Sequence, residues 1–272
     1  MEKRLSVRDI RKLKSTILDN EPIVSLVCYT AQLARLINDL VDIILVGDSM
    51  GMTIYGHENT LSVTTQMMIN HGKAVVSSTS RPHIVIDLPF SSYEESPEKA
   101  FRTASKIMKF TGAQSVKLEG GEEFAETIHF LSQRGIPVMG HIGLMPQRIQ
   151  TLGGFITQGK TKEAAEQVIK DAKAIVDAGV FSTVIEAVPE ETSKIVTRNS
   201  PIPTIGIGAG RTCDGQILVA HDILGLFGDF TPKFVKKYAE LDKNISEAVA
   251  EYAREVKEKK FPGINNVFKS SK

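Results

Sequence analysis

Cysteine is scarce in this sequence: only Cys28 and Cys213 are present, and they lie far apart in the chain. Neither stands in a metal-ligand spacing, so a structural zinc site is not indicated. Two distant cysteines also give no disulfide framework of the kind that small secreted domains use. We therefore expect reduced thiols in a cytoplasmic protein.

Long apolar runs and an excess of either charge are also missing. No run approaches the ~18 apolar residues of a membrane span. The first residues, MEKRLSVRDIRKLKS, alternate charged with apolar side chains, unlike a signal peptide. The 33 basic and 32 acidic residues nearly cancel, and no long basic block is present to bind phosphates. We therefore expect no membrane or nucleic-acid partner and favour a small-molecule ligand.

The sequence alternates short apolar runs with longer helical patterns. Eight runs rich in Val and Ile are apolar on both faces, which is typical of parallel strands covered by helices. They are PIVSLVCY, DIILVG, HIVID, SVKLE, PVMGH, TVIE, PTIGIG and QILVAH. Eight strands without a second domain favour a closed (β/α)8 TIM barrel, with residues 1–272 as a single domain, over an open doubly wound sheet.

Apolar spacing and end signals mark four of the helices. An amphipathic helix over about residues 6–20 precedes the first strand and is expected to close the bottom of the barrel. The segments from Ser96 to Phe110 and from Thr161 to Ala178 each begin at an N-cap and end before a glycine. The last helix is expected to open at Thr231 and to dock by its apolar stripe, with a tail over about 261–272.

Two segments between a strand and a helix are longer than an ordinary turn. They cover about residues 49–63 and 142–160, and both contain glycines. Long loops at this position often carry function, so both are candidate lids.

Acidic side chains end four of the predicted strands, at the face where barrel enzymes keep their active sites. The four are Asp48, Asp87, Glu119 and Glu186. The fifth strand carries His141, and alternation in SVKLE points Lys117 and Glu119 together into the barrel mouth. Converging carboxylates raise one another's pKa unless a cation lies among them, and oxygen ligands suit a hard ion such as Mg²⁺.

Each of these residues also has a purely structural interpretation. Asp48 or Asp87, taken singly, is as often an N-cap of the next helix as a ligand. Lys117 can be an ordinary salt-bridge partner of Glu119, and His141, on an apolar run, can be a satisfied core histidine. The GIGAG stretch is interpreted as a tight turn, although late barrel loops of this kind also cradle phosphate.

Seven motifs occur in order along nearly the whole chain. They are VGDSMGMTIYGHENTL, IDLPFSSYEES, GAQSVKLEGG, PVMGHIGLMPQ, LGGFITQGKT, VIEAVPEE and PTIGIGAGRTCDGQILVAHDILG. Together they resemble the ketopantoate hydroxymethyltransferase family. The resemblance implies the barrel of phosphoenolpyruvate- and pyruvate-using enzymes. It also implies transfer of a one-carbon unit from methylene-tetrahydrofolate, or a related pterin, to 3-methyl-2-oxobutanoate, which gives ketopantoate for pantothenate and coenzyme A synthesis.

The resemblance assigns roles to the residues at the strand ends. It implies that Asp48 and Asp87 bind a divalent metal, usually Mg²⁺, and lie beside the substrate. Glu119 is implied to bind that metal directly or through water. Ser49 and Lys117 resemble the groups that hold the substrate carboxylate.

The remaining implied roles concern the reaction and the assembly. Glu186 resembles the catalytic base, and His141 lies at the same pocket with no role assigned. The implied route is a metal-stabilised enolate, formed as the metal polarises the keto oxygen and Glu186 removes the C3 proton. Lys117 anchors the acid without forming a Schiff base. Family members form homo-oligomers built on rings, commonly decamers.

The chain departs from the family pattern at three places. Thr30 replaces an aspartate in VCYT, Met145 replaces a threonine in GLMPQ, and the tail reads NNVF in place of HSF. None of these touches the implied metal site, base or carboxylate anchor. They bear on the one-carbon donor pocket and on subunit contacts.

Two rival functions compete with this one. A lyase of the same superfamily acting on isocitrate-like acids carries a cysteine in a KKCGH-type loop, which this sequence lacks. A non-catalytic barrel is expected to have lost at least one of the charged residues Asp48, Asp87, Lys117 and Glu186. All four are present.

Overall fold

The computed structural model describes residues 3–14, 21–226 and 231–269. The chain falls into two compact units, residues 1–220 and residues 221–272. The expectation of a single domain over 1–272 stays a prediction. In the described ranges, no helix combines the length and the apolar content that crossing a bilayer requires.

Eight parallel strands close into a barrel in the first unit, in the order β1 to β8. They are β1 (Ile23–Val27), β2 (Ile43–Val46), β3 (His83–Asp87), β4 (Ser115–Lys117), β5 (Val138–Gly143), β6 (Ser182–Glu186), β7 (Thr204–Ile207) and β8 (Gly215–Val219). The barrel closes where β8 pairs with β1, from Ile23 opposite Gly215 to Val27 opposite Val219. Each predicted apolar run overlaps one strand, and the predicted (β/α)8 barrel is confirmed.

Helices follow each strand along the chain except β7, since residues 208–214 between β7 and β8 contain no helix. The helices are α1 (Val7–Lys12), α2 (Ala31–Ile37), α3 (Met50–Thr53), α4 (Thr65–Ser77), α5 (Pro97–Thr111), α6 (Ala125–Gln133), α7 (Ile149–Leu152), α8 (Lys162–Ala178), α9 (Glu190–Asn199), α10 (Ala220–Ile223) and α11 (Leu241–Lys257). Strands β2, β3 and β5 are buried along their whole length, because one face lines the barrel interior and the other meets the helix layer.

Helices α5 and α8 begin and end at the predicted signals. The Ser96 side chain accepts from the backbone N–H of Lys99, and Gly112 ends α5 in the left-handed conformation. Thr161 caps α8 in the same way, and Gly179 ends it. Both predicted helices are therefore confirmed to within one residue.

Helix α1 covers the amino-terminal face of the barrel. It begins after Ser6, which forms a reciprocal capping box with Asp9, and it buries Ile10. The Leu5 carbonyl accepts a hydrogen bond from Nδ1 of His83, the first residue of β3, at 3.0 Å. The helix ends at Lys12, and residues 15–20 of the predicted helix lie outside the described residues.

The last helix begins later than the sequence predicts. The opening at Thr231 is wrong, since α11 starts at Leu241 and residues 231–240 contain no helix. The reason is a different set of backbone bonds: Tyr238 N–H donates to the Ile223 carbonyl and Leu241 N–H to the Leu224 carbonyl. The predicted apolar stripe, with Val249 for example 59% exposed, is not buried, and its docking stays a prediction. The predicted tail contains a 3-10 turn over Ile264–Asn266, and residues 270–272 lie outside the described part.

Both candidate lids carry short helices. The segment 49–63 contains α3. The segment 142–160 contains a 3-10 turn, Pro146–Arg148, followed by α7. Movement of these segments as lids stays a prediction.

Candidate active site

The carboxyl ends of the strands bring the predicted residues together. Asp87 and Glu186 are the last residues of β3 and β6, while Asp48 and Glu119 each follow a strand by two residues. In the barrel register Asp87 lies opposite Lys117, and Gly143 lies opposite Glu186. The predicted site is therefore one site at the barrel mouth.

An ion pair between Lys117 and Asp87 lies at its centre. Lys117 Nζ is 3.0 Å from Asp87 Oδ1, and both side chains are almost fully buried, with 5% and 4% exposed. The backbone N–H of Asp48 donates to Asp87 Oδ2 at 3.0 Å. A Cβ at Gly47 would lie 2.9 Å from Ser49 Oγ, so a side chain at this position would crowd the neighbouring serine. Burial opposes the charge on Lys117, but Asp87, Glu119 and Asp48 outweigh it and raise the Lys117 pKa.

His141 joins two further carboxylates. Its Nδ1 lies 3.5 Å from Glu119 Oε1, and its Nε2 lies 3.2 Å from Glu186 Oε2. The backbone bond from Gly120 N–H to the His141 carbonyl, at 3.0 Å, sets Glu119 beside the ring. Burial and Lys117 lower the His141 pKa, yet the interactions with Glu119 and Glu186 prevail and raise it to about 9. Lys117 Nζ is also 3.2 Å from Nδ1, and a neutral ring that accepts from this ammonium carries its proton on Nε2, toward Glu186.

These contacts bear on the structural interpretations of the individual residues. Neither aspartate is an N-cap, since Ser49, Thr64 and Ser96 hold that position in α3, α4 and α5. The alternative in which Lys117 is a salt-bridge partner of Glu119 does not describe the structure, because the lysine pairs with Asp87. His141 is buried as a core histidine would be, but its partners are two acids.

The three deepest carboxyl groups differ in how strongly they hold a proton. Burial, together with the charges of Asp87 and Glu119, raises the Asp48 pKa well above its usual value. Burial also raises the Asp87 pKa, although Lys117 opposes it. Burial acts the same way on Glu119, but the hydrogen bond and charge of His141 and the charge of Lys117 outweigh it and lower the Glu119 pKa. A nearby cation would therefore stabilise the ionised form of Asp48 more than that of Asp87 or Glu119.

Glu186 is the one acid of the four with appreciable access. Its side chain is 15% exposed, against 2% for Glu119 and 4% for Asp87. Ala187, directly after it, has a φ of 48°, in the left-handed region where a non-glycine residue is strained. This left-handed residue ends β6 directly after Glu186.

Ser49 is held by a residue that the sequence reasoning missed. Ser49 Oγ lies 2.7 Å from the Tyr29 hydroxyl, and Tyr29 is fully buried.

Thr30, which replaces the family aspartate, caps α2 by accepting from Leu33 N–H at 3.4 Å. The departure at Thr30 therefore keeps a capping residue in place.

Gln147 and Tyr93 were also missed. Gln147 Nε2 donates to Asp48 Oδ2 at 2.8 Å, and the Tyr93 hydroxyl donates to Gln147 Oε1 at 2.7 Å. Both residues stand in quoted motifs, IDLPFSSYEES and GLMPQ. A neutral side chain away from a strand end gives no charge signal, so only the motifs themselves pointed to them.

The carboxylate oxygens at the barrel mouth fit a divalent metal, although they do not form a complete coordination sphere. Among the described residues no group of three or more His, Cys, Asp or Glu side chains stands ready to hold a metal ion. If Asp48, Asp87, Glu119 and Glu186 all ionise, their four negative charges exceed the two positive charges of Lys117 and His141 by two, which a divalent cation would offset. Asp87 Oδ1 has no well-aligned hydrogen bond in the described part of the chain, only the ion pair to Lys117. One or two carboxylates with water and substrate is the usual protein environment of Mg²⁺.

The GIGAG stretch is a turn beside this site. Gly208 and Gly210 have φ values of 61° and 87°. A Cβ at Gly210 would lie 2.5 Å from Cγ of Glu190, so a glycine is required there. This geometry agrees with the tight turn expected from the sequence.

A closed parallel barrel with buried acids, a lysine and a histidine at its carboxyl-terminal mouth defines a (β/α)8-barrel enzyme. Solved structures similar to it include a phosphoenolpyruvate phosphomutase from Streptomyces platensis subsp. rosaceus (TM-score 0.60, 12% identity, 93% of this chain and 88% of that one). Another is a phosphonopyruvate hydrolase in complex with oxalate and Mg²⁺ (TM-score 0.61, 11% identity, 96% and 93%). A third is 2,3-dimethylmalate lyase of the PEP mutase/isocitrate lyase superfamily (TM-score 0.56, 15% identity, 98% and 87%). These identities show the fold alone.

Within that class the chain belongs to the ketopantoate hydroxymethyltransferase family, whose sequence profile matches residues 4–264. Relatives named 3-methyl-2-oxobutanoate hydroxymethyltransferase include one from Paramagnetospirillum magneticum, 54% identical over 266 residues, covering 98% of this chain and 96% of the relative. Another, from Rhizobium etli, is 52% identical over 268 residues, covering 98% and 97%. The family expected from the motifs is confirmed.

Proposed function

We propose that this enzyme transfers a hydroxymethyl group to 3-methyl-2-oxobutanoate and so forms ketopantoate, with methylene-tetrahydrofolate or a related pterin as donor. The family membership supports the substrate. The observation that carries the chemistry is Glu186, a partly open carboxylate 3.2 Å from His141 beside buried Lys117 and Asp87. In this group of residues Glu186 serves as a base, and the Lys117 ammonium serves to bind the carboxylate of an acid substrate.

Lys117 and Ser49 are the groups that hold the substrate carboxylate in this proposal. The neighbouring acids raise the Lys117 pKa, so its amine stays a cation. A protonated amine is no nucleophile, which favours a charge anchor over a Schiff base. The Tyr29 hydroxyl, 2.7 Å from Ser49 Oγ, fixes the direction in which the serine presents its own hydrogen-bonding groups.

Glu186 then acts as the base. It removes the proton from C3 of the oxo acid, and the electron pair of the broken C–H bond moves into the enolate. His141 Nε2, 3.2 Å from Glu186 Oε2, holds the Glu186 carboxylate by charge, since the two atoms are not aligned for a hydrogen bond. Water supplies the hydroxyl oxygen: it adds to the methylene carbon of the donor, both C–N bonds break, and the two pterin nitrogens keep the two protons of the water. Carbon C3 attacks the C=O carbon so formed, the carbonyl π bond opens, and the proton on Glu186 passes to the resulting alkoxide.

Asp48 and Asp87 would hold the metal, with Glu119 as a direct or water-mediated ligand. When bound, a divalent ion supplies Lewis-acid polarisation of a carbonyl and offsets developing negative charge, worth several kcal/mol. The protein residues fit that role by their charge and burial, as the high Asp48 pKa indicates.

Turnover with each donor tests the proposal. Purified enzyme with Mg²⁺ and 3-methyl-2-oxobutanoate is supplied with methylene-tetrahydrofolate or with a modified methylene-pterin, and ketopantoate is measured by mass spectrometry. We expect product with at least one donor. Absence of product with every donor, from folded enzyme, contradicts the proposed function.

The assembly and the location are proposed from family resemblance. A ring-based homo-oligomer, commonly a decamer, would sediment near ten times the 29.8 kDa mass of the chain. Sedimentation velocity of the full chain tests this, and a monomer contradicts it. The cytoplasmic location stays a prediction.

A further inference from the structure

Gln147 is a neutral residue in the barrel mouth that contacts several groups of the site, although the proposed reaction gives it no role. Gln147 lies in the 3-10 turn Pro146–Arg148 and is 4% exposed. Its Nε2 donates to Asp48 Oδ2 at 2.8 Å and to the Leu88 carbonyl at 2.9 Å. Its backbone N–H donates to Glu119 Oε2 at 3.1 Å. One residue thus binds two of the acids assigned to the metal.

These contacts join several strand ends. Asp48 follows β2, Leu88 follows β3 and Glu119 follows β4, while Gln147 itself belongs to the segment after β5. The start of the candidate lid 142–160 is therefore attached to three neighbouring strand ends through a single residue. Any movement of that segment acts on Asp48 and Glu119 together.

Tyr93 fixes which way the Gln147 amide faces. Its hydroxyl donates to Oε1 of Gln147 at 2.7 Å and accepts from Glu119 N–H at 3.3 Å. A flipped amide would set its oxygen against the Asp48 carboxylate and the Leu88 carbonyl, with no hydrogen to share. Tyr93 is 2% exposed and its ring packs 5.3 Å from that of Phe124, so the hydroxyl is held in place.

We propose that Gln147 is a positioning residue of the metal site: with Tyr93, it sets the orientation of the Asp48 and Glu119 carboxylates before a metal arrives. Holding Asp48 by Oδ2 leaves Oδ1 as the oxygen without a protein donor in the described part of the chain. Partners that orient metal ligands are typically worth roughly 10- to 100-fold in metal affinity. The inference rests on the proposed metal-dependent function but is tested without turnover.

The primary test measures Mn²⁺ binding to the free enzyme by electron paramagnetic resonance, with no substrate present. Gln147→Met keeps the length of the side chain and removes the amide. We expect it to bind Mn²⁺ roughly 10- to 100-fold more weakly than the wild type while it stays folded. Gln158→Met is the matched control, because Gln158 lies in the same segment but its amide donates to the Ile156 carbonyl at 2.8 Å. The control should bind Mn²⁺ like the wild type.

A second variant keeps the inference testable if Gln147→Met does not fold. Tyr93→Phe retains the buried ring and the Gln147 amide but removes the hydroxyl that orients it. We expect a smaller loss of Mn²⁺ affinity, roughly three- to tenfold, since a single neutral hydrogen bond is removed. A purely structural role would lower the unfolding temperature of both variants and leave Mn²⁺ affinity unchanged.

The outcomes separate this inference from the proposed function. Weaker Mn²⁺ binding in both variants supports the positioning role even if the wild type makes no ketopantoate. Wild-type Mn²⁺ affinity in a folded Gln147→Met or Tyr93→Phe variant overturns the positioning role even if the wild type turns over. A wild-type enzyme that binds no Mn²⁺ overturns it as well.

Discussion

Nε2 of His141 lies 3.2 Å from Oε2 of Glu186 across the interface of β5 and β6. The surroundings of the two side chains differ, since His141 is enclosed and fixed by Lys117 and Glu119, while Glu186 is partly open. The buried ring therefore lies against Oε2, while the Glu186 side chain keeps the access to the mouth that the buried Glu119 lacks. This arrangement favours Glu186 as the base.

Replacing the base should separate binding from proton removal. Glu186→Gln keeps the shape and a polar group near His141 but removes the basic oxygen. We expect exchange of the C3 proton of 3-methyl-2-oxobutanoate to fall roughly 100- to 10,000-fold, with Mn²⁺ affinity preserved. Exchange is followed by proton NMR in deuterated water. Glu191→Gln, an exposed residue of α9, should exchange like the wild type, and an active Glu186→Gln would remove Glu186 from the base role.

The ion pair between Lys117 and Asp87 should be strongly coupled in stability. Lys117→Met leaves a buried carboxylate without its cation, and we expect a loss of about 3–5 kcal/mol in the free energy of unfolding. The double variant Lys117→Met/Asp87→Asn should lose clearly less than the sum of the single variants. Urea unfolding of metal-free protein measures all three.

An exposed pair provides the comparison. Lys99 and Glu95 pair on the surface, with side chains 31% and 70% exposed, and Lys99→Met should cost at most about 1 kcal/mol. Additive losses for Lys117 and Asp87 would show that the buried pair does not act as a unit.

Metal should stabilise the folded chain through the two aspartates. At 100 times its dissociation constant, Mg²⁺ should add about 2.7 kcal/mol to the free energy of unfolding, because it binds the folded state. Asp48→Asn and Asp87→Asn should lose that gain, and a chelator should reverse it in the wild type. Asp177→Asn, which alters an exposed pair with Lys173, should keep it. An equal Mg²⁺ gain in all variants would place the metal elsewhere.

The pKa of His83 predicts how the free energy of unfolding changes with pH. Burial lowers its pKa from 6.5 to about 4 in the folded chain, where Nδ1 donates to the Leu5 carbonyl and Nε2 accepts from Ser115. Below pH 6.5 the unfolded chain binds a proton that the folded chain refuses, so stability is lost as the pH falls from 6.5 toward 4. We expect His83 to account for about 3 kcal/mol of that loss.

Urea unfolding at about pH 7 and about pH 4 measures the effect. The drop between the two pH values should be smaller in His83→Gln than in the wild type by about that amount. His129→Gln, at an exposed position of α6, should show the wild-type drop. A His83→Gln variant with the full wild-type drop would contradict the assignment.

The sequence predicted the barrel and the charged part of the site because both leave local signals. Buried strands appear as apolar runs, and the acids stand at their ends, as Asp87 does at the end of HIVID. The caps at Ser96 and Thr161 fixed two helices to within one residue.

The features that the sequence did not predict depend on contacts between distant parts of the chain. Which acid pairs with Lys117 is set by the register of β3 against β4, which alternation within SVKLE does not contain. The role of Gln147 depends on Asp48, 99 positions away. The start of α11 was missed because carbonyls of residues 223–225 bind the backbone that the Thr231 and Pro232 start signal and the apolar spacing assigned to a helix.

The most direct test of the proposed chemistry is solvent exchange at C3 of 3-methyl-2-oxobutanoate, catalysed by the wild-type enzyme with Mg²⁺ in deuterated water and without any pterin. We expect loss of the C3 proton signal at a rate well above that of the metal-free enzyme and of the Glu186→Gln variant. A folded, Mg²⁺-loaded wild type that leaves the C3 proton in place would contradict it.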